Sequence, residues 1–224
     1  FYFDVELHDP SDKMFLGHVI KGSGLAEGVT ALRILAEHPA TANTISRKLA
    51  VYFLCDDPPA ALVSRLAGVY GSSGGDIRET LRALFSSPEF FDPKYMGGRL
   101  KPPLRQVVSA IRALGGTPTD TTALAGALAA LGQPLYTAEG PEGYPVASGP
   151  WLKPDGLVRR VSFAGDLAAG RIPGLGLPPA RSSSPALVET LGGTLSPAGR
   201  KAAERASGVA GTAVILASPD SMRY

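Results

Sequence analysis

The sequence predicts a mainly α-helical protein: an irregular multi-helix domain with a short antiparallel β element near the N-terminus. Three observations carry this. Apolar residues recur every three or four positions through most of the chain, the spacing that lines one side of a helix. The 27 glycines and 20 prolines punctuate those stretches, which implies many short, capped helices. Strict alternation is confined to the start, where Phe1, Phe3, Val5 and Leu7 alternate with Tyr2, Asp4 and Glu6.

Residues 1–20 read as two short strands, the second being Met14–Ile20, joined by the turn-rich His8–Lys13. A half-apolar strand at the start needs a partner. It suggests the C-terminal portion of a longer protein, with Phe1 at a junction with a missing N-terminal half. The loop Gly22-Ser23-Gly24 leads into a helix from Ala26 to Glu37 with Val29, Leu32 and Leu35 as its apolar face. Pro39 biases His38 away from helical geometry and opens the next helix, whose stripe is Ile45, Leu49 and Phe53. Asp57 with Pro58 starts a helix carrying Leu62, Leu66 and Val69 inward. Asp76, with Glu79 three residues on, resembles a capping box for a helix burying Ile77, Leu81, Leu84 and Phe85.

Lys101-Pro102-Pro103 opens a helix with Leu104, Val107, Val108, Ile111 and Leu114 on one face, closed by Gly115-Gly116. Thr122–Leu131 is a short Ala/Leu helix, and 132–154 is irregular. A helix over 155–169 buries Leu157, Val161 and Leu167. Helices at 185–192 and 197–217 end the chain. The domain reading is therefore residues 1–170, a Pro/Gly/Ser connector at 171–184, and a segment at 185–224 that packs back. Leu84–Phe91 and Ile215–Met222 both place Ser-Pro-acid after an apolar helix end, as two similar helix-end turns would.

Bulk properties exclude several functions. The 224 residues fit one large domain or two small ones. A net charge of +2 and an aromatic content of 7% suit neither a dedicated nucleic-acid binder nor a stacking platform for single strands. No apolar run approaches the roughly 18 residues of a membrane span. Cys55 is the only cysteine, so no disulfide forms within the chain.

The chemical motifs each have a plain structural counterpart. Gly71-Ser72-Ser73-Gly74-Gly75 centres Ser73 in a Gly-x-Ser-x-Gly, but a nucleophile elbow needs a preceding strand and here a helix precedes. Gly22-Ser23-Gly24 lies where a helix N-terminus binds an anion, yet Glu27 in the first turn would repel phosphate. His8, Asp9 and His38 are the candidates for catalysis: His8 and Asp9 as a general base with its orienting carboxylate, or as metal ligands. The structural alternative puts His8 on a turn and has His38 cap the preceding helix through a free carbonyl. Tyr136, Tyr144 and Trp151 share a Gly/Pro-rich loop suited to ligand or partner contact, or to pinning that loop on the core. The arginines of the pairs Arg78/Arg82 and Arg105/Arg112, with Arg47 and Lys48, read as solvated outer faces or as a dock for an acidic partner or an anionic glycan.

A resemblance adds to this reading. It rests on His8-Asp9 with Lys13, Leu16 and Gly17, and on His38–Ala42 with Ile45, Lys48 and Leu49. Further on it includes Lys101–Leu104, Ala110–Gly115, Leu131–Pro134, Gly143–Pro145, Trp151 and Leu216–Asp220. These residues resemble the bacterial family catalogued as domain of unknown function one thousand eight hundred, in its C-terminal half. Tyr144, where the family usually has Trp, and the long connector depart from the pattern. The resemblance implies a periplasmic or extracellular protein, often encoded beside an exported sulfatase-like protein, with no established activity or cofactor.

The leading functional expectation is a non-enzymatic interaction or scaffold module of an exported bacterial protein. Its partners would be the N-terminal half and the sulfatase-like neighbour. One alternative is a hydrolase of an extracellular polymer with a His/Asp site at the junction, and another is a glycan-binding module. A hydrolase requires His8, Asp9 and His38 to meet a carboxylate from elsewhere in a cleft. A glycan binder requires Tyr136, Tyr144 and Trp151 to be exposed together.

Overall fold

The computed structural model describes residues 1–178, 184–191, 193, 195–205 and 208–224. The fold is mainly helical, with eleven α-helices among the described residues and a short antiparallel hairpin near the N-terminus. The chain divides into two compact units, Phe1–Asp92 and Pro93–Tyr224. That division falls well before the composition change near residue 170. None of the described helices is long and apolar enough to cross a membrane.

In the first unit, β1 (Lys13–Phe15) pairs antiparallel with β2 (His18–Ile20), Phe15 opposite His18. Leu16 and Gly17 both have positive φ, as the two central residues of a type I′ turn must. The hairpin thus turns inside the segment predicted as one strand, because Leu-Gly lacks the Asn or Asp that usually announces such a turn. Residues 1–7 form no strand. The Asp4 carboxylate accepts the Glu6 N–H at 3.0 Å, and the His8 N–H reaches the Val5 carbonyl. These local bonds bend the backbone and compete with a ladder.

Four helices follow: α1 (Leu25–Glu37), α2 (Pro39–Phe53), α3 (Ala60–Ser72) and α4 (Ile77–Phe85). The buried stripe of α2 is Ala42, Ser46 and Ala50, not Ile45, Leu49 and Phe53, which lie partly or largely exposed. Small side chains on that face suit close packing on α3, which supplies Leu62, Val63, Leu66 and Tyr70. Helix α3 begins after Pro58-Pro59, later than Asp57 suggested. Asp76 does cap α4, accepting the N–H groups of Arg78 and Glu79 at 2.7 and 3.2 Å.

The second unit contains α5 (Pro103–Ala113), β3 (Thr117–Pro118), α6 (Thr122–Ala130), α7 (Pro154–Ala168) and β4 (Leu175–Gly176). It ends with α8 (Ser184–Leu191), α9 (Pro197–Arg205), α10 (Gly208–Leu216) and α11 (Pro219–Met222). Its core joins Val107, Ile111 and Leu114 of the α5 region to Leu128, Phe163, Leu167, Leu187 and Ile215. Helix α10 packs against α7, as a C-terminal segment folding back requires. Strands β3 and β4 pair antiparallel, so part of the predicted connector is ordered. Residues 179–183 of that connector, and residues 206 and 207 of the predicted 197–217 helix, lie outside the described residues. The buried face of α7 is Arg160, Phe163, Ala164, Leu167 and Ala168, leaving Leu157 and Val161 exposed.

The two Ser-Pro-acid segments use one helix-end device. Ser87 Oγ donates to the Leu84 carbonyl, and Ser218 Oγ to the Ile215 carbonyl, each at 2.7 Å.

Candidate functional site

The most constrained polar cluster among the described residues sits where the hairpin meets the N-terminus of α1. Gly22 has to be glycine there, because a Cβ would lie 1.9 Å from the Pro10 carbonyl oxygen. The tight passage aims two backbone N–H groups at α1's own third residue. Glu27 Oε1 accepts from the N–H of Ser23 at 2.7 Å and of Gly24 at 2.9 Å. The anion that this helix N-terminus attracts is therefore Glu27 itself. Sequence reasoning cast Glu27 as a repellent for phosphate and missed this. The available signal was a glutamate three residues after the glycine that caps the helix, the reciprocal arm of a capping box.

Two side chains complete the cluster. His8 Nε2 bonds Glu27 Oε1 at 2.8 Å, and Lys13 Nζ lies 2.6 Å from Oε2. The lysine also donates to the carbonyls of Asp9 (2.5 Å) and Ser11 (2.8 Å). Glu27 is only 5% exposed. The Lys13 ammonium, then the Ser23 N–H, His8 and the Gly24 N–H, outweigh burial and hold its carboxyl down to about 2. Glu27 is thus ionised at any physiological pH, with Oε1 taking three hydrogen bonds and Oε2 in an ion pair with Lys13.

The cluster borders a largely apolar cavity of about 510 Å³ lined by Phe3, Phe15, Ile20, Leu25 and Ala31. The Phe3 ring meets His8 edge-on at 5.2 Å. His8 with a buried carboxylate is a base dyad, two parts of a triad without its nucleophile. Among the described residues no serine, threonine or cysteine lines the cavity, and no group of three or more His, Cys, Asp and Glu could hold a metal.

The three residues predicted as catalytic therefore part company. His8 meets a carboxylate from elsewhere, but Asp9 spends its oxygens on the Ser11 N–H and hydroxyl, each at 2.9 Å. Those bonds hold its carboxyl below the usual range. The His38 ring caps the following helix, its Nδ1 accepting the Ala40 N–H at 3.1 Å, while its backbone N–H rather than its ring bonds the Leu35 carbonyl at the end of α1. No hydrogen bond joins His38 to His8 or Asp9.

The three aromatics are not exposed together. Trp151 is 9% exposed and its indole N–H donates to the Pro145 carbonyl at 3.0 Å. The Tyr144 hydroxyl donates to the Pro134 carbonyl at 2.6 Å, and only Tyr136 projects fully into solvent. Ser73 is an interhelical turn residue, its hydroxyl donating to the Tyr70 carbonyl and accepting the Asp76 N–H.

The other unusual feature of this region is the outer surface of α1. Leu25, Val29 and Leu32 recur at i, i+4 and i+7 on one side, opposite Glu27 and Ile34. All three are at least half exposed, Leu32 at 67%. The apolar face predicted for α1 exists, but it points outward. Exposed Met14 borders the same cavity as Leu25, which carries the apolar surface onto the hairpin.

The family model described as Protein of unknown function (DUF1800) matches residues 1–223. The chain belongs to that family. The match spans essentially the whole chain, so the resemblance to a C-terminal half alone is not borne out. No curated protein and no solved structure is significantly similar to it.

Proposed function

We propose that this DUF1800 chain is a non-enzymatic interaction module of an exported bacterial protein, with the outer face of α1 as its contact surface. The observation that carries this reading is the row Leu25, Val29 and Leu32, exposed on a helix whose opposite side carries buried Glu27 and half-buried Ile34. A contiguous exposed apolar surface marks a contact site more often than a lone exposed leucine does. The Glu27 cluster supports it as a rigid clamp holding α1 to the hairpin. Its groups are engaged, and no nucleophile stands beside His8.

The partner to try first is the exported sulfatase-like protein that the family resemblance implies. Calorimetric titration of the two purified proteins should give a complex that Leu32→Asp abolishes and His8→Asn leaves intact. Absence of a complex would sink the reading. So would turnover of a polymer or ester substrate that His8→Asn removes, which would favour the hydrolase instead.

A further inference from the structure

Helix α5 carries a second surface, in the other unit and independent of the α1 face. Five apolar residues were predicted to point inward from this helix. Val107, Ile111 and Leu114 do, but Leu104 and Val108 stand exposed one turn apart. They form the floor of an open groove of about 740 Å³, walled by Gln133 on one side and by Thr190 and Leu191 of α8 on the other. Arg105 and Arg112 border the same groove, seven residues or about 10 Å apart along the helix. Among the described residues no acidic side chain lines it.

The polar groups face it as donors. Arg105 is held by stacking on the Tyr224 ring at 4.0 Å, which leaves its N–H edge available. The Arg112 side chain makes no ion pair or hydrogen bond among the described residues. The Gln133 side-chain carbonyl accepts the Leu104 N–H at 2.8 Å, so its amide group remains a donor. Guanidiniums over an apolar floor select an anion with a hydrocarbon body. Leu104 and Val108 lead along α5 to Arg112, and Pro102, Ala113 and Leu191 add to the apolar lining. Leu104, Val108 and Arg112 recur every fourth residue, so a single aliphatic chain lies along one ridge of α5 and ends at a guanidinium.

We propose that the α5 groove binds an aliphatic monocarboxylate, its carboxylate on Arg112 and its chain along Leu104 and Val108. The test is isothermal titration of dodecanoate below its micelle concentration, beside dodecyl maltoside and dodecyltrimethylammonium. Dodecanoate should bind once per chain, at least about tenfold tighter than the neutral maltoside, the margin of a charge-assisted contact. The cation should not bind. Arg112→Gln should weaken dodecanoate by about tenfold and leave the maltoside unchanged. Val108→Ser should weaken both. Both variants change exposed side chains, and their folding is checked by circular dichroism. The proposal is overturned if dodecanoate does not bind, if all three amphiphiles bind alike, or if Arg112→Gln has no effect. An acidic amphipathic peptide binding where dodecanoate fails would assign the groove to a protein partner and overturn it equally.

Discussion

Helices α1 and α7 each turn a charged side chain inward, and their units accommodate it by different means. Glu27 on α1 is met by full charges and backbone donors: Lys13, His8 and two N–H groups. Arg160 on α7, 2% exposed, is met among the described residues by neutral oxygens. Its Nη1 donates to the Lys101 carbonyl at 2.9 Å and to the Gln106 side-chain carbonyl. Burial alone lowers the Arg160 pKa, whereas the partners of Glu27 overcome its burial. A short acid at a helix N-terminus finds donors already in place. A guanidinium in mid-helix must recruit oxygens from another segment, and losing one leaves a buried charge poorly solvated.

The largest expected effect follows from that asymmetry. Gln106→Leu leaves Arg160 with one carbonyl and should destabilise the protein by about 1–3 kcal/mol in urea unfolding. Adding Arg160→Met should recover much of the loss, because charge and acceptor then leave together. A neutral Gln106→Leu would mean that Arg160 is solvated in another way.

Glu27 should show itself through pH. Its carboxyl lies at about 2, against an ordinary 4.5, so the folded state releases its proton more readily than the unfolded state does. That contribution is complete above pH 4.5 and is lost as pH falls towards 2. Glu27→Gln should lower Tm at neutral pH and flatten the fall in Tm across that acid window. Parallel Tm curves for the two proteins would show that the cluster adds nothing to stability. Lys13 is about a third exposed, so solvent screening keeps this effect below that of Gln106→Leu.

His38→Ala should cost about 0.5–1 kcal/mol, since it removes only the acceptor that caps α2. His38→Asn should restore it. A larger loss, not rescued by Asn, would mean His38 does more than cap.

Much of the helical pattern was legible because Pro and Gly mark its ends. Pro39, Asp76 and Gly115 stand where α2, α4 and α5 begin or stop. The phase of the buried face was less legible. Periodicity locates an apolar stripe without saying which side is inside, and α2 buries Ala42, Ser46 and Ala50 where larger neighbours were expected. In α7 only Leu167 of the expected face is buried, because Arg160 occupies a position that pattern reasoning reserves for an apolar residue. The site was half legible. His8 stood out by residue type, but its partner Glu27 lies nineteen residues away, and only folding the hairpin onto α1 brings them together.

The smallest expected effect is the most discriminating for α1. Leu32 is 67% exposed, so Leu32→Ser should change stability by no more than about 0.5 kcal/mol. Ile34, on the opposite side and half-buried, should cost about 1–2 kcal/mol as Ile34→Ala. A helix that buries one face and offers the other must show this inequality in chemical unfolding. If Leu32→Ser costs as much as Ile34→Ala, the outer stripe is already covered in solution. Sedimentation of the wild type would then show an oligomer that Leu32→Ser dissociates. The covering partner would be a second copy of the chain, and the contact surface would belong to self-association.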